Sequence, residues 1–151
     1  MRVETEQTWK TQLEKGQRAE LQIADYYARY GFKPFIAHGH CPDGDIVLWN
    51  GGKYRLLEVK DCPNAIKYGS FAVEFSSAGR PSGLETTKAD DWIFVVDCTA
   101  YSIPTLKLRE LVRSGEYKTR ETCGGKNKCW LIPIIDIELR SELLILAPYV
   151  A

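Results

Sequence analysis

The first part of the chain carries apolar residues at the spacing of one helix face. This pattern predicts a helix from Thr8 to Tyr30, ended by Gly31 as its C-cap. The stripe expected to face the core consists of Trp9, Leu13, Ala24 and Tyr27. Glu20 falls in the middle of that stripe, where a carboxylate is costly unless it is paired or bound to a metal ion.

Two short runs with strand character follow, separated by a turn sequence. Asp45–Trp49 and Lys53–Lys60 are predicted to be antiparallel strands. The turn between them reads Asn50-Gly51-Gly52, and these residue types tolerate the positive φ angles of a tight hairpin.

The rest of the chain alternates predicted strands and helices. Strands are predicted within Lys33–Cys41, and at Ser70–Phe75, Trp92–Asp97, Tyr117–Thr122 and Lys128–Ile137, the last two pairing across Gly124-Gly125. Helices are predicted at Ser82–Asp90, where Ser82 and Glu85 have capping-box spacing, and at Pro104–Arg113. Glu138–Ala151 fits either a helix or a strand. This order predicts a single α/β (α+β) domain over residues 1–151, with a mixed central sheet.

Composition restricts the class of protein. The chain has 151 residues, 44% hydrophobic and 26% charged, as in one globular domain. No apolar run approaches the roughly 20 residues of a membrane helix, and the N-terminal residues lack the apolar stretch of a signal peptide. We therefore expect a cytoplasmic protein with no membrane partner. Five cysteines with irregular spacing are expected to be reduced packing residues.

The charge balance neither favours nor excludes a nucleic-acid ligand. The net charge is zero, from 20 basic and 20 acidic residues, and nucleic-acid binding usually accompanies bulk basicity. However, the segment from Lys107 to Lys128 contains seven basic and three acidic residues, and the distribution of charge matters more than its sum. This segment is either a second DNA contact or an ordinary solvated surface.

The hairpin places acidic side chains together. Side chains alternate along a strand, so Glu58 and Lys60 share one face. If Gly51-Gly52 is the two-residue loop, Asp45 lies opposite Glu58. If Asn50-Gly51 is the loop, Asp43 lies opposite Glu58 instead. In both registers two like charges meet, which destabilises a sheet unless a cation lies between them.

This arrangement predicts a metal site that hydrolyses phosphodiesters. Asp45 and Glu58 are expected to bind Mg²⁺, with Mn²⁺ as a substitute, together with the carbonyl of Val59. Lys60 is expected to orient the attacking water and to stabilise developing negative charge. Glu20 would support the metal shell directly or through water.

The same residues resemble the PD-(D/E)XK nuclease superfamily. The pattern is Glu20, then Pro42-Asp43-Gly44-Asp45-Ile46, then Glu58-Val59-Lys60. Small phage-type endonucleases and archaeal Holliday-junction resolvases are the members it resembles, and Gly79–Trp92 is also similar to the phage enzymes. The resemblance implies a restriction-endonuclease-like core, with a mixed sheet of about four strands flanked by helices, that cuts DNA with Mg²⁺. The Pro-Asp pair would select Asp43, whereas many relatives use the aspartate just before an Ile or Val, here Asp45.

Other residues are weaker candidates. Phosphate contacts are expected from the group Arg80, Ser82, Thr87 and Lys88, because basic residues and helix N-termini suit anions. Asp43 and Glu74 are alternative metal ligands, although an ion pair explains Glu74 equally well. His38-Gly-His40-Cys41 invites a zinc interpretation, but the remaining cysteines lack paired ligand spacing.

Several functions stay open. The expected one is a metal-dependent endodeoxyribonuclease that works as a homodimer, since cutting two strands suits two-fold symmetry. A Holliday-junction resolvase would use the same residues on branched DNA. A non-catalytic DNA-binding protein on a nuclease fold, and an interaction domain with an accidental Glu-x-Lys, are the alternatives from other classes.

Overall fold

The computed structural model of the protein describes residues 17–37, 44–122 and 124–148. The first helix, α1, is helical over residues 17–29 of the described chain. The strands that follow are β1 (Lys33–Ile36), β2 (Ile46–Asn50), β3 (Lys53–Asp61), β4 (Ser70–Ser77), β5 (Arg80–Pro81), β6 (Asp91–Val96), β7 (Thr99–Pro104), β8 (Lys118–Thr122), β9 (Asn127–Pro133) and β10 (Glu142–Ile145). The later helices are α2 (Ala65–Tyr68), α3 (Thr105–Ser114) and α4 (Ile134–Glu138), and Gly83–Glu85 forms a 3₁₀ turn.

Two sheets form the described structure. The central sheet has six strands in the order β1-β2-β3-β6-β7-β10. It is mixed, because β3 and β6 run parallel and all its other pairs of neighbouring strands are antiparallel. The second sheet has the order β5-β4-β9-β8 and is antiparallel. The mixed α+β class is thus confirmed. The expected size of about four strands is wrong, because β7 and β10 extend the central sheet beyond β6.

Side-chain burial separates the core into two layers. On one face of the central sheet, α1 packs its residues Ala19, Ile23 and Ala24 against Leu57 and Ile93. The other face packs Trp92 and Phe94 against the second sheet, α3 and α4, with these buried partners: Phe71, Val73, Leu108, Ile132 and Ile137. All six residues of β6 are buried, so β6 contributes side chains to both layers.

Several local predictions are confirmed. The apolar run predicted as a central strand is β6, inside the central sheet. Gly31 follows α1 with φ +88°, and the N–H of Phe32 donates to the carbonyl of Tyr27 at 3.1 Å, as in a Schellman cap. The β8 and β9 strands pair across the Gly124-Gly125 turn as predicted. Trp9 and Leu13 of the predicted stripe lie outside the described residues.

Other local predictions are wrong or incomplete. No side-chain cap forms at Ser82, and the segment after it is a 3₁₀ turn of three residues instead of a helix reaching Asp90. The strand predicted to continue to Ile137 ends at Pro133, where α4 begins. The ambiguous C-terminal segment contributes the edge strand β10.

Two further expectations concern the whole chain. None of the helices in the described part has the length and apolarity needed to span a bilayer. The described cysteines Cys62, Cys98 and Cys129 are thiols. Cys41 and Cys123 lie outside the described residues.

Candidate active site

The β2–β3 hairpin has the register predicted for a Gly51-Gly52 loop. Ile46 pairs with Leu57 and Asn50 pairs with Lys53, so Gly51-Gly52 is the two-residue loop. The register with an Asn50-Gly51 loop is therefore wrong. The ladder ends at the pair of Ile46 and Leu57, and Asp45 precedes it as a bend, so a direct pairing of Asp45 with Glu58 stays a prediction. Asp43, the alternative ligand, lies outside the described residues, as do His38 and His40.

Asp45 is held in place where β2 begins. Its N–H donates to the carbonyl of Leu57 at 2.8 Å, and its Oδ2 accepts a hydrogen bond from the N–H of Val59 at 2.8 Å. Gly44, at φ +143°, crosses β3 so closely that an added Cβ would lie 2.9 Å from the Leu57 carbonyl oxygen. The glycine between the two aspartates is thus required by this close approach of two backbones.

The carbonyl of Val59 points to the side of β3 on which the Asp45 carboxylate lies. The N–H and C=O of one strand residue point to the same side, and the N–H of Val59 points to the Asp45 carboxylate. The pairing of β2 with β3 ends at Ile46 and Leu57, so no residue of β2 pairs with Val59. The Val59 carbonyl and the Asp45 carboxylate therefore lie on one side of β3.

Lys60 lies among carboxylates on the same face of β3 as Glu58. Its Nζ is 3.0 Å from Oε1 of Glu58 and 5.3 Å from the ring centroid of Trp92. Burial acts to lower the pKa of Lys60, but the negative charges of Glu58, Asp45 and Glu74 outweigh it, so the pKa is raised. Lys60 is consequently a fixed positive charge at neutral pH.

Glu20 reaches the same cluster from α1. Burial, followed by repulsion from Asp45 and Glu58, raises the pKa of Glu20 to about 7. The negative charges of Asp45 and Glu58 therefore act on the Glu20 carboxylate, although Glu20 lies on a different element. Near neutral pH, a cation bound between Asp45 and Glu58 would favour the ionised form of Glu20.

Glu74 approaches Lys60 from the second sheet. It lies on β4 and pairs with Cys129, next to a bulge before Ser76. Its backbone is in contact with Gly83, where an added Cβ would overlap the Glu74 carbonyl oxygen. The second sheet thus contributes an acidic side chain to the electrostatic field of the site.

The four predicted phosphate contacts lie on the segment after β4, and the structure gives them different surroundings. Arg80 and Lys88 are exposed. The Oγ of Ser82 is buried and has no hydrogen-bond partner among the described residues. The Oγ1 of Thr87 accepts a hydrogen bond from the N–H of Ala89 at 3.2 Å. Arg109 anchors the segment by donating to the carbonyls of Leu84 and Thr87, at 3.1 and 3.0 Å.

The donor set is suited to a hard divalent cation with few protein ligands. Within residues 17–37, 44–122 and 124–148, no three His, Cys, Asp or Glu side chains are arranged to hold a metal ion. Mg²⁺ usually takes one or two carboxylates and fills its remaining positions with water and substrate oxygens. Asp45, Glu58 and the Val59 carbonyl fit that pattern, and the pKa of Glu20 is raised first by burial and then by the neighbouring charges of Asp45 and Glu58.

Sequence reasoning missed an ion pair and a cleft on the α1 side of the central sheet. Arg55 donates to Oδ2 of the buried Asp91 from Nε at 2.9 Å and from Nη2 at 2.7 Å. The pair borders a cleft of about 570 Å³, which Tyr27 and Lys107 also line. The parallel register of β3 with β6 brings the pair together, and no local sequence signal indicates it. None of the candidate catalytic residues lines this cleft.

Comparison of the chain with protein-family models, curated proteins and solved structures gave no match. The resemblance to the PD-(D/E)XK superfamily stays an expectation from the sequence pattern of Glu20, Asp45, Glu58 and Lys60.

Proposed function

We propose that the protein is a metal-dependent endodeoxyribonuclease with a restriction-endonuclease-like core. The observation that carries the proposal is the group of charges around Lys60, whose Nζ is 3.0 Å from Oε1 of Glu58, while the Asp45 carboxylate accepts a hydrogen bond from the N–H of Val59 between them. Neighbouring carboxylates repel each other, and a bound cation removes the repulsion. Glu20 adds a third carboxylate from a separate element.

The proposed chemistry assigns one role to each group. Asp45, Glu58 and the Val59 carbonyl would hold Mg²⁺ or Mn²⁺, which when bound polarises the phosphate and acidifies a water molecule. Lys60 stays protonated beside Glu58, so it positions the attacking water and neutralises charge that develops on the phosphate oxygens. Glu20, with a pKa of about 7, is suited to accept the proton of that water.

The test is cleavage of DNA by the purified protein. Supercoiled, linear and four-way-junction DNA are incubated with Mg²⁺, Mn²⁺ or EDTA, beside Glu58→Gln and Lys60→Met. Glu110→Gln on the exposed side of α3 is the matched control, because it removes the same charge away from the site. We expect metal-dependent cutting that both site variants lose and the control retains.

The outcomes separate the alternatives. A strong preference for the four-way junction would identify a resolvase. Absence of cutting on every DNA, or cutting that survives in both site variants, would overturn the proposal and favour a DNA-binding module. Sedimentation with and without DNA tests the homodimer, which is part of the proposal because one site cuts one strand.

A further inference from the structure

The face of the central sheet that carries Glu58 and Lys60 continues into a row of exposed aromatic residues. The registers of β1, β2 and β3 place side chains side by side across the three strands. Lys33, Trp49 and Tyr54 form one cross-strand row. Phe35, Val47 and Leu56 form the next row, and Glu58 follows Leu56 on the same face of β3. We call these two rows the aromatic face.

The aromatic face is open to solvent. Phe35 is 59% exposed, Trp49 39% and Tyr54 64%. Residues of the same strands that point to the opposite side, such as Ile46, Leu48 and Leu57, are buried beneath α1. The strands are therefore anchored through one side, while large planar rings are presented on the other.

The spacing connects this face to the candidate catalytic residues. Rows on one strand face are two residues apart, or roughly 7 Å. Leu56 thus lies about one row from Glu58, and Tyr54 about two rows from it. Positive charges stand at both ends, with Lys33 beside Trp49 and Lys60 beyond Glu58.

We propose that the aromatic face binds unpaired bases of single-stranded DNA and leads that strand to Asp45, Glu58 and Lys60. The proposal rests on the nuclease function and names its substrate class. Aromatic side chains stack on bases of any sequence, and basic residues contact the phosphates between them. Bases within a duplex already stack on each other, so a duplex has no free base faces on which these aromatic rings could stack.

The chemistry of the face favours a nucleic acid over a protein partner. Its exposed positions are three rings and a lysine, while its aliphatic residues Val47 and Leu56 are half-buried. A protein covering the face would extend onto the carboxylates of Asp45 and Glu58 and block the candidate site. A strand stacked on the same rings would instead carry its phosphates toward them.

The test measures binding in EDTA, where cutting is absent. Fluorescence anisotropy compares a short single-stranded DNA oligonucleotide with its duplex, for the wild-type chain and for Trp49→Leu and Tyr54→Leu. Leucine keeps an apolar surface and removes the planar ring. Tyr30→Leu is the control, because Tyr30 is a ring of similar exposure, 68%, in the turn that follows α1. Trp49→Phe keeps a ring at the position.

We expect the single strand to bind more tightly than the duplex. Each leucine variant should weaken single-strand binding about 5- to 150-fold, whereas Trp49→Phe and Tyr30→Leu stay near wild type. Tryptophan fluorescence quenched by the oligonucleotide should lose most of its amplitude in Trp49→Phe, which separates direct stacking from an indirect effect.

Three results would overturn the inference: equal binding by all variants, preference for the duplex, or leucine variants that change the oligomeric state and leave DNA binding intact. The last would make the face an interface between copies of the chain. Binding through the face without any cutting would reject the nuclease function alone. Normal metal-dependent cutting by variants with unaltered binding would reject the aromatic face alone.

Discussion

Replacing Gly83 with alanine tests the contact by which the 3₁₀ turn fixes β4 beside the candidate site. Gly83 has φ +55°, and an added Cβ would overlap the Glu74 carbonyl oxygen and lie 2.8 Å from its carbonyl carbon. Gly51 in the hairpin loop is a matched control, because its φ is +58° and nothing lies within 4 Å of the added Cβ. Both substitutions carry the same backbone penalty, and only one carries the overlap.

The two penalties can be separated in size. A left-handed alanine costs roughly 1 to 2 kcal/mol, so Gly51→Ala should lower the free energy of unfolding by about that amount. Forced overlap in a packed region adds about 1 to 3 kcal/mol, and at Gly83 the obstacle is backbone, which cannot rotate away. We therefore expect a total of about 3 kcal/mol for Gly83→Ala.

Equilibrium unfolding in urea measures the difference. With a slope of roughly 2 kcal/mol per molar urea, Gly83→Ala should lower the unfolding midpoint by about 1.5 M, and Gly51→Ala by about half as much. Equal midpoints for the two variants would refute the reasoning, because the contact between Gly83 and Glu74 would then be absent or easily relieved.

Two further predictions concern charge. The folded pKa of Glu20, about 7, exceeds the ordinary value of 4.5, so the native state holds this proton more tightly and loses stability as pH rises from about 4.5 through 7. Glu20→Gln should therefore raise the free energy of unfolding at pH 8 by about 1 kcal/mol, after allowance for partial exposure, and leave it nearly unchanged at pH 5. Urea unfolding at the two pH values measures this, and a larger gain at pH 5 contradicts it. Arg55→Met should lower the free energy of unfolding by about 1 to 3 kcal/mol at pH 7, because the buried Asp91 loses two hydrogen bonds, and Lys53→Met on the same strand should change it by less than about 0.5 kcal/mol.

The sequence predicted those parts of the fold whose signals are local. The Gly51-Gly52 loop sets the hairpin register, so the pairing of β2 with β3 followed from turn chemistry. Glu20 stood out as a carboxylate on an apolar stripe, and it does feel the hairpin carboxylates. In each case the signal that carried the prediction lay within one short stretch of sequence.

The parts that escaped prediction depend on distant pairings. The second sheet forms because β4 pairs with β9, as Val73 does with Trp130, and no short-range pattern shows this. The Arg55–Asp91 pair needs the parallel alignment of β3 with β6. The capping-box spacing at Ser82 failed because Gly83 is held against β4, which leaves a 3₁₀ turn in place of a helix.

The parallel pairing of β3 with β6 has a consequence for how the chain folds. Parallel neighbours need a crossover, and here the crossover between Asp61 and Asp91 includes β4, the strand that pairs with β9. The chain thus enters the second sheet twice, between β3 and β6 and again between β7 and β10, and the contacts that complete the sheets bridge long sequence separations. Such high contact order predicts folding in milliseconds to seconds.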